Sequence, residues 1–107
     1  MAIFKGDEAK FSINLTAPGF SMDTDDFDIE VVSTIGGMLK GSKGGTGTDV
    51  IIYKEDDAWY AIANTENELR PGGSLKVIAT AYVPDAHAND GIRKQIATAV
   101  LDKFIEP

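Results

Sequence analysis

Short runs of alternating apolar and polar residues, separated by turn residues, dominate the chain. In residues 9–16, Phe11, Ile13 and Leu15 share one face, while Ser12, Asn14 and Thr16 share the other. That period of two predicts a half-buried strand. Ala17-Pro18-Gly19 ends it, because proline lacks a ladder donor and glycine accepts positive φ. Phe27–Ser33 repeats the pattern, with Phe27, Ile29 and Val31 set against Asp28 and Glu30. Residues 49–54 and 58–64 predict two strands joined by the acidic turn Glu55-Asp56-Asp57. Arg70-Pro71-Gly72-Gly73 marks a further turn, and residues 75–83 alternate through Leu75, Val77, Ala79, Ala81 and Val83.

Residues 92–105 fit two periods. Ile92, Ile96 and Val100 lie at helical spacing, yet Ile96, Thr98 and Val100 also alternate, and the Asp90-Gly91 turn precedes them. Neighbouring strands at sandwich-like spacing favour a final strand. Six of the eleven glycines fall within residues 36–47. Each loses much backbone entropy on ordering, which predicts a flexible loop at about 36–48 with a short strand at 38–40. The sum is an all-β chain: an immunoglobulin-like β-sandwich of about seven antiparallel strands in one domain, residues 1–107.

Composition narrows the function classes. The 107 residues are 43% hydrophobic and 25% charged, an ordinary globular balance. Seventeen acids against ten bases leave a net charge of −7. That sign repels phosphate backbones and anionic lipid, so neither nucleic acid nor membrane is expected as a partner. The absence of cysteine removes disulfides, thiolate metal sites and cysteine nucleophiles together, and leans toward an intracellular protein or one supported by an oligomer. The opening residues lack the basic segment of a secretory signal, and no apolar run approaches the ~20 residues of a membrane helix.

Four segments carry candidate chemistry, each weighed against a plainer reading. Lys43-Gly44-Gly45-Thr46-Gly47-Thr48 superficially matches a phosphate loop. Thr48-Asp49 stands where lysine and a hydroxyl residue belong, and a strand pattern comes next instead of a helix. Asp23, Asp25, Asp26 and Asp28 hint at calcium but lack a correctly placed turn glycine and bidentate glutamate, so an acidic sheet edge accounts for them better. His87 is the only histidine and has no serine elbow or further metal ligands near it in sequence, which predicts an exposed loop residue. Trp59-Tyr60 is either core or a platform for sugar or peptide. No catalytic residue, metal ligand or cofactor is expected.

Three pieces occur together in order: Lys5-Gly6-Asp7, Trp59-Tyr60 ahead of Pro71-Gly72-Gly73, and Pro84-Asp85 followed by Asp90-Gly91-Ile92-Arg93. On them the chain resembles small immunoglobulin-like structural proteins of tailed phages and prophages. These are similar to the N-terminal domain of baseplate upper proteins and to short prophage proteins of Bacteroides-type gut bacteria. The resemblance covers most of the chain, although no coiled coil or fibre succeeds the single domain. It implies a non-enzymatic virion protein of tail, baseplate or head, present in host cytoplasm during assembly. Its implied partners are other virion proteins or further copies of itself. It sets Lys5, Gly6 and Asp7 in an opening strand and Asp90, Gly91 and Arg93 in a closing hairpin. A bacterial glycan- or peptide-binding module is the alternative. Apolar residues at both ends, Ile3, Phe4, Phe104 and Ile105, are the expected interface, the competing reading being that both ends pack onto their own sheets.

Overall fold

The computed structural model describes residues 2–43 and 49–107. They form eight strands: β1 (Ile3–Phe4), β2 (Glu8–Ile13), β3 (Phe27–Ser33), β4 (Met38–Ser42), β5 (Val50–Glu55), β6 (Ala58–Asn64), β7 (Ser74–Pro84) and β8 (Ile92–Ile105). The strands make a five-stranded sheet ordered β1-β8-β7-β3-β4 and a three-stranded sheet ordered β2-β6-β5. The all-β expectation holds, and residues 92–105 are strand throughout. The strand count differs from the expected seven. It differs because β1, only two residues long, carries too little pattern to be read, and it pairs parallel to β8, whereas every other pairing is antiparallel.

Alternation on the strands builds one core from both sheets. Phe27, Ile29 and Val31 of β3 are completely buried, as are Leu75, Val50, Ala61, Ala63, Leu69 and Phe104, and all join one hydrophobic cluster. Phe27 meets Trp59 edge-on, with ring centroids 5.5 Å apart and planes at 89°. Trp59 is thus neither wholly core nor a free platform. Its ring packs on the cluster while its Nε1–H donates to Asp23 Oδ1 at 3.1 Å.

The glycine-rich stretch is more ordered than its composition predicts. Gly36 and Gly37, with φ of 142° and 97°, turn β3 into β4, and Gly41 lies inside β4 itself. A side chain at Gly41 would strike the Val50 carbonyl of β5. Glycine is there because the two sheets approach backbone to backbone along this side, not because the chain must bend. The rest of the expected loop, residues 44–48 with most of the phosphate-loop look-alike, lies outside the described residues.

Between β5 and β6, Asp56 and Asp57 adopt φ of 52° and 64°, the left-handed pair of a two-residue hairpin turn. The β7–β8 hairpin runs long. From Val100 to Asp102 it carries an irregularity, since Lys76 pairs with Val100 but Leu75 with Asp102. The extra residue, Leu101, resets the alternation of β8 so that Phe104 enters the core.

Candidate functional site

β8 is fourteen residues long, and the core uses little of it. Phe104 is buried and Leu101 packs against the cluster, but every residue from Lys94 to Val100 is exposed. β7 covers one side of β8 along its length, and β1 covers the other side only at Phe104 and Ile105. No described strand pairs with the edge before the irregularity, residues 92–100. Its outer face carries Ile92, Ile96 and Val100, which are 47%, 65% and 67% exposed.

The sheet sets the direction of the unpaired backbone groups. The Tyr82 N–H donates to the Asp26 carbonyl at 3.0 Å, which turns the even residues of β7 toward β3 and its odd residues toward β8. The odd residues of β7 oppose Arg93, Gln95, Ala97 and Ala99. Antiparallel pairs alternate, so Lys94, Ile96, Thr98 and Val100 turn their N–H and C=O groups away from β7. The result is an open strand edge with an apolar outer face.

The inner face of this strand borders a cleft. The three-stranded sheet ends at β2, whose far edge has no described neighbour, and it stops short of β8. Phe11, Ile13 and Leu15 line one wall and Ala97, Ala99 and Leu101 the other, enclosing about 250 Å³. The two sheets are therefore closed along the β4–β5 side, at Gly41, and open along the β2–β8 side.

The structure brings the four expected interface residues together, but against one another. Ile3 pairs with Phe104 and Phe4 with Ile105, and the Lys5 N–H donates to the Ile105 carbonyl at 2.9 Å. Phe104 is fully buried and Ile3 packs on the core, so in this fold neither is presented to a partner. Only Phe4 remains substantially exposed, at 42%. Terminal apolarity here serves a clasp. The Thr65 hydroxyl, itself buried, reinforces it by donating to the Asp7 carbonyl at 2.7 Å and accepting from the Gly6 N–H at 3.0 Å.

The other candidates are dispersed. The acidic run does not converge: Asp23 pairs with Lys54 at 3.0 Å and accepts from Trp59, Asp25 accepts the Ser21 N–H, and Asp28 accepts the Tyr82 hydroxyl at 2.6 Å. The Lys54 ammonium and then the Trp59 indole hold the Asp23 carboxyl below the usual carboxylate range. Among the described residues no group of three His, Asp or Glu side chains is placed to hold a metal. Lys43 donates to the Met22 and Asp25 carbonyls at 2.7 and 2.9 Å and lies over the Trp59 ring. The next element of the fold after Lys43 is β5, a strand where a phosphate loop requires a helix. Tyr53 and Tyr60 stack on each other, 5.7 Å apart, with Lys10 4.8 Å from the Tyr60 centroid. Tyr53 in turn raises the Lys10 ammonium pKa above its ordinary value.

The His87 side chain is exposed in the β7–β8 turn. Its backbone N–H shapes that turn, donating to Asp85 Oδ1 at 3.0 Å while Arg93 Nε reaches Asp85 Oδ2 at 3.1 Å. The His87 amide, and after it Arg93, hold the Asp85 carboxyl below its ordinary range. The folded pKa is depressed, so this contribution to stability is present above the ordinary carboxylate pKa and fades as pH falls through the lowered value. In an NMR titration Asp85 is expected to ionise at lower pH than a model aspartate near 3.9, and Arg93→Ala to move it upward. An unshifted Asp85 would show the turn to be held by other means.

Searches of family models, of curated proteins and of solved structures each found no match to this chain. No helix of the described residues is long and apolar enough to cross a membrane.

Proposed function

We propose that the chain is a non-enzymatic assembly module, an immunoglobulin-like structural protein of a tailed-phage or prophage particle that docks through strand edges. One observation carries the docking: the edge of β8 over residues 92–100 is unpaired by any described strand and shows Ile92, Ile96 and Val100 to solvent. A long apolar edge of this kind is a ready template for an added strand, and folded proteins ordinarily blunt such edges with charge, proline or a covering segment. The sequence resemblance supports placing the module in a virion.

The glycan-binding alternative draws less support, because the aromatic faces it needs are occupied. Trp59 is engaged by Phe27, Lys43 and Asp23, and Tyr53 and Tyr60 by each other and Lys10. The experiment is particle composition. Phage or prophage particles purified from an induced host carrying the tagged gene are expected to contain the chain in a fixed ratio to their major tail or head protein. A chain recovered only from the particle-free lysate would sink the virion reading.

A further inference from the structure

We propose that Asp90-Gly91, in the turn between β7 and β8, is a self-modifying site: the Asp90 carboxyl condenses with the Gly91 nitrogen to a succinimide, which reopens as isoaspartate. The reaction needs no enzyme and no partner, so it stands whether or not the chain joins a particle.

The sequence supplies one such pair. Of the aspartates and asparagines in the chain, Asp90 alone is followed by glycine. The ring closes only when the next residue's nitrogen approaches the carboxyl carbon. A side chain on that residue obstructs the approach, and glycine has none. The turn leaves the way open. Asn89, Asp90 and Gly91 are all exposed, and nothing lies within 4 Å of where a Gly91 Cβ would stand. The attacking nitrogen is lightly held. Its N–H donates to the Ala88 carbonyl at 3.2 Å, against 3.1 Å for Ala88 on Asp85 and 2.9 Å for Asp85 on Gly91. Exposed bonds of a surface turn open readily.

Asp85, in the same turn, is the built-in contrast. Its carboxyl accepts from the His87 N–H and from Arg93, and Ala86 follows it. The Asp90 carboxyl has no such partner among the described residues. In the reaction a bond forms between the Gly91 nitrogen and Asp90 Cγ, and the C–OH bond of the protonated carboxyl breaks. The hydroxyl leaves with the amide proton as water. Water then returns to one of the two ring carbonyls. At Cγ it restores aspartate. At the main-chain carbon it breaks the original peptide bond, and the chain thereafter runs through Cγ.

That rerouting adds one main-chain carbon between the two longest strands. The Gly91 carbonyl, which accepts the Asp85 N–H at 2.9 Å, is displaced, and Arg93 is drawn off the Asp85 carboxyl. The pairs nearest the turn, Pro84 with Ile92 and Val83 with Arg93, are expected to loosen, while the sheet holds the pairs farther along.

The test keeps the full folded chain warm at neutral pH, below its melting transition, for weeks. Trypsin then releases residues 77–93, which carry Asp85 and Asp90 together. Electron-transfer fragmentation and an isoaspartate-specific carboxyl methyltransferase are expected to find isoaspartate at Asp90, forming many times faster than at Asp85. A succinimide species, one water lighter and one negative charge poorer, is expected to precede it. Asp90→Glu requires a larger ring that closes far more slowly, and is expected to stay unmodified while melting like the parent. Asp90→Asn closes the same ring with ammonia as the leaving group, and is expected to convert faster. Equal rates at Asp85 and Asp90 would overturn the proposal. So would a parent and an Asp90→Asn variant that stay unmodified while folded yet convert in urea, because the turn would then be holding the Gly91 nitrogen away.

Discussion

Phe104→Ala is expected to lower stability by about 3–5 kcal/mol, the range for deleting a buried aromatic ring from a core that cannot fully collapse. Phe104 is completely buried in the shared cluster, its N–H donates to the Gly73 carbonyl at 2.8 Å, and its carbonyl accepts from the Gly72 N–H at 2.7 Å. Alanine keeps those backbone bonds and removes only the ring, so the loss reads packing alone. For a domain of this size each kcal/mol moves the melting temperature by about 4–8 °C, and a drop beyond about 12 °C is expected. Phe4→Ala, at an exposed position of the same clasp, is the comparison and should cost much less. Urea unfolding of both variants measures the difference. Equal, small losses would mean that the clasp is loosely held and that Phe104 is available to partners after all.

Gly37→Ala is expected to be nearly as damaging, by about 3 kcal/mol. Gly37 has φ of 97°, where a side chain costs about 1–2 kcal/mol. A Cβ there would also run into the Glu68 carbonyl and come within 2.9 Å of Leu69 Cα. Both obstacles are backbone, so nothing can swing aside, and overpacking of this sort adds about 1–3 kcal/mol. The turn cannot retreat either. It is fastened to the 68–70 segment by the Arg70 N–H on the Gly36 carbonyl at 3.0 Å and by the Ser33 hydroxyl on the Arg70 carbonyl at 2.5 Å. Thermal melts of Gly37→Ala beside Gly6→Ala separate the two causes. Gly6 shares the positive φ, at 104°, but has open space where its Cβ would lie. Equal losses in the two variants would leave strain alone as the explanation.

The strands most legible in the sequence are those with one face in the core and the other in solvent. β3 and β6 span Phe27–Ser33 and Ala58–Asn64, where the alternation ends, because a buried face marks every second residue up to the turn. β8 is ambiguous for a physical reason. Over residues 94–100 it buries neither face, so no apolar stripe distinguishes period two from helical spacing, and only its neighbours decide. β4 is legible only in part, as the short strand expected at 38–40. Gly41 reads as loop, yet it serves a close approach between sheets that no local pattern encodes. The same limit applies to the candidate site. Ile3, Phe4, Phe104 and Ile105 stand out as apolar ends, but whether they face one another or a partner depends on which strands become neighbours. The open edge on β8 arises in the same way, from a sheet order in which only a two-residue strand lies outside it.

The clasp between β1 and β8 also sets the order in which the fold can be completed during synthesis. It joins residues 3–4 to residues 104–105, a contact between segments separated by almost the whole chain. Contacts of such high sequence separation form late, because the loop-closure entropy must be overcome before they return any stabilisation. A growing chain therefore holds Ile3 and Phe4 without their strand partners until residues 104 and 105 have emerged, and throughout that interval β1 is most open to the wrong strand.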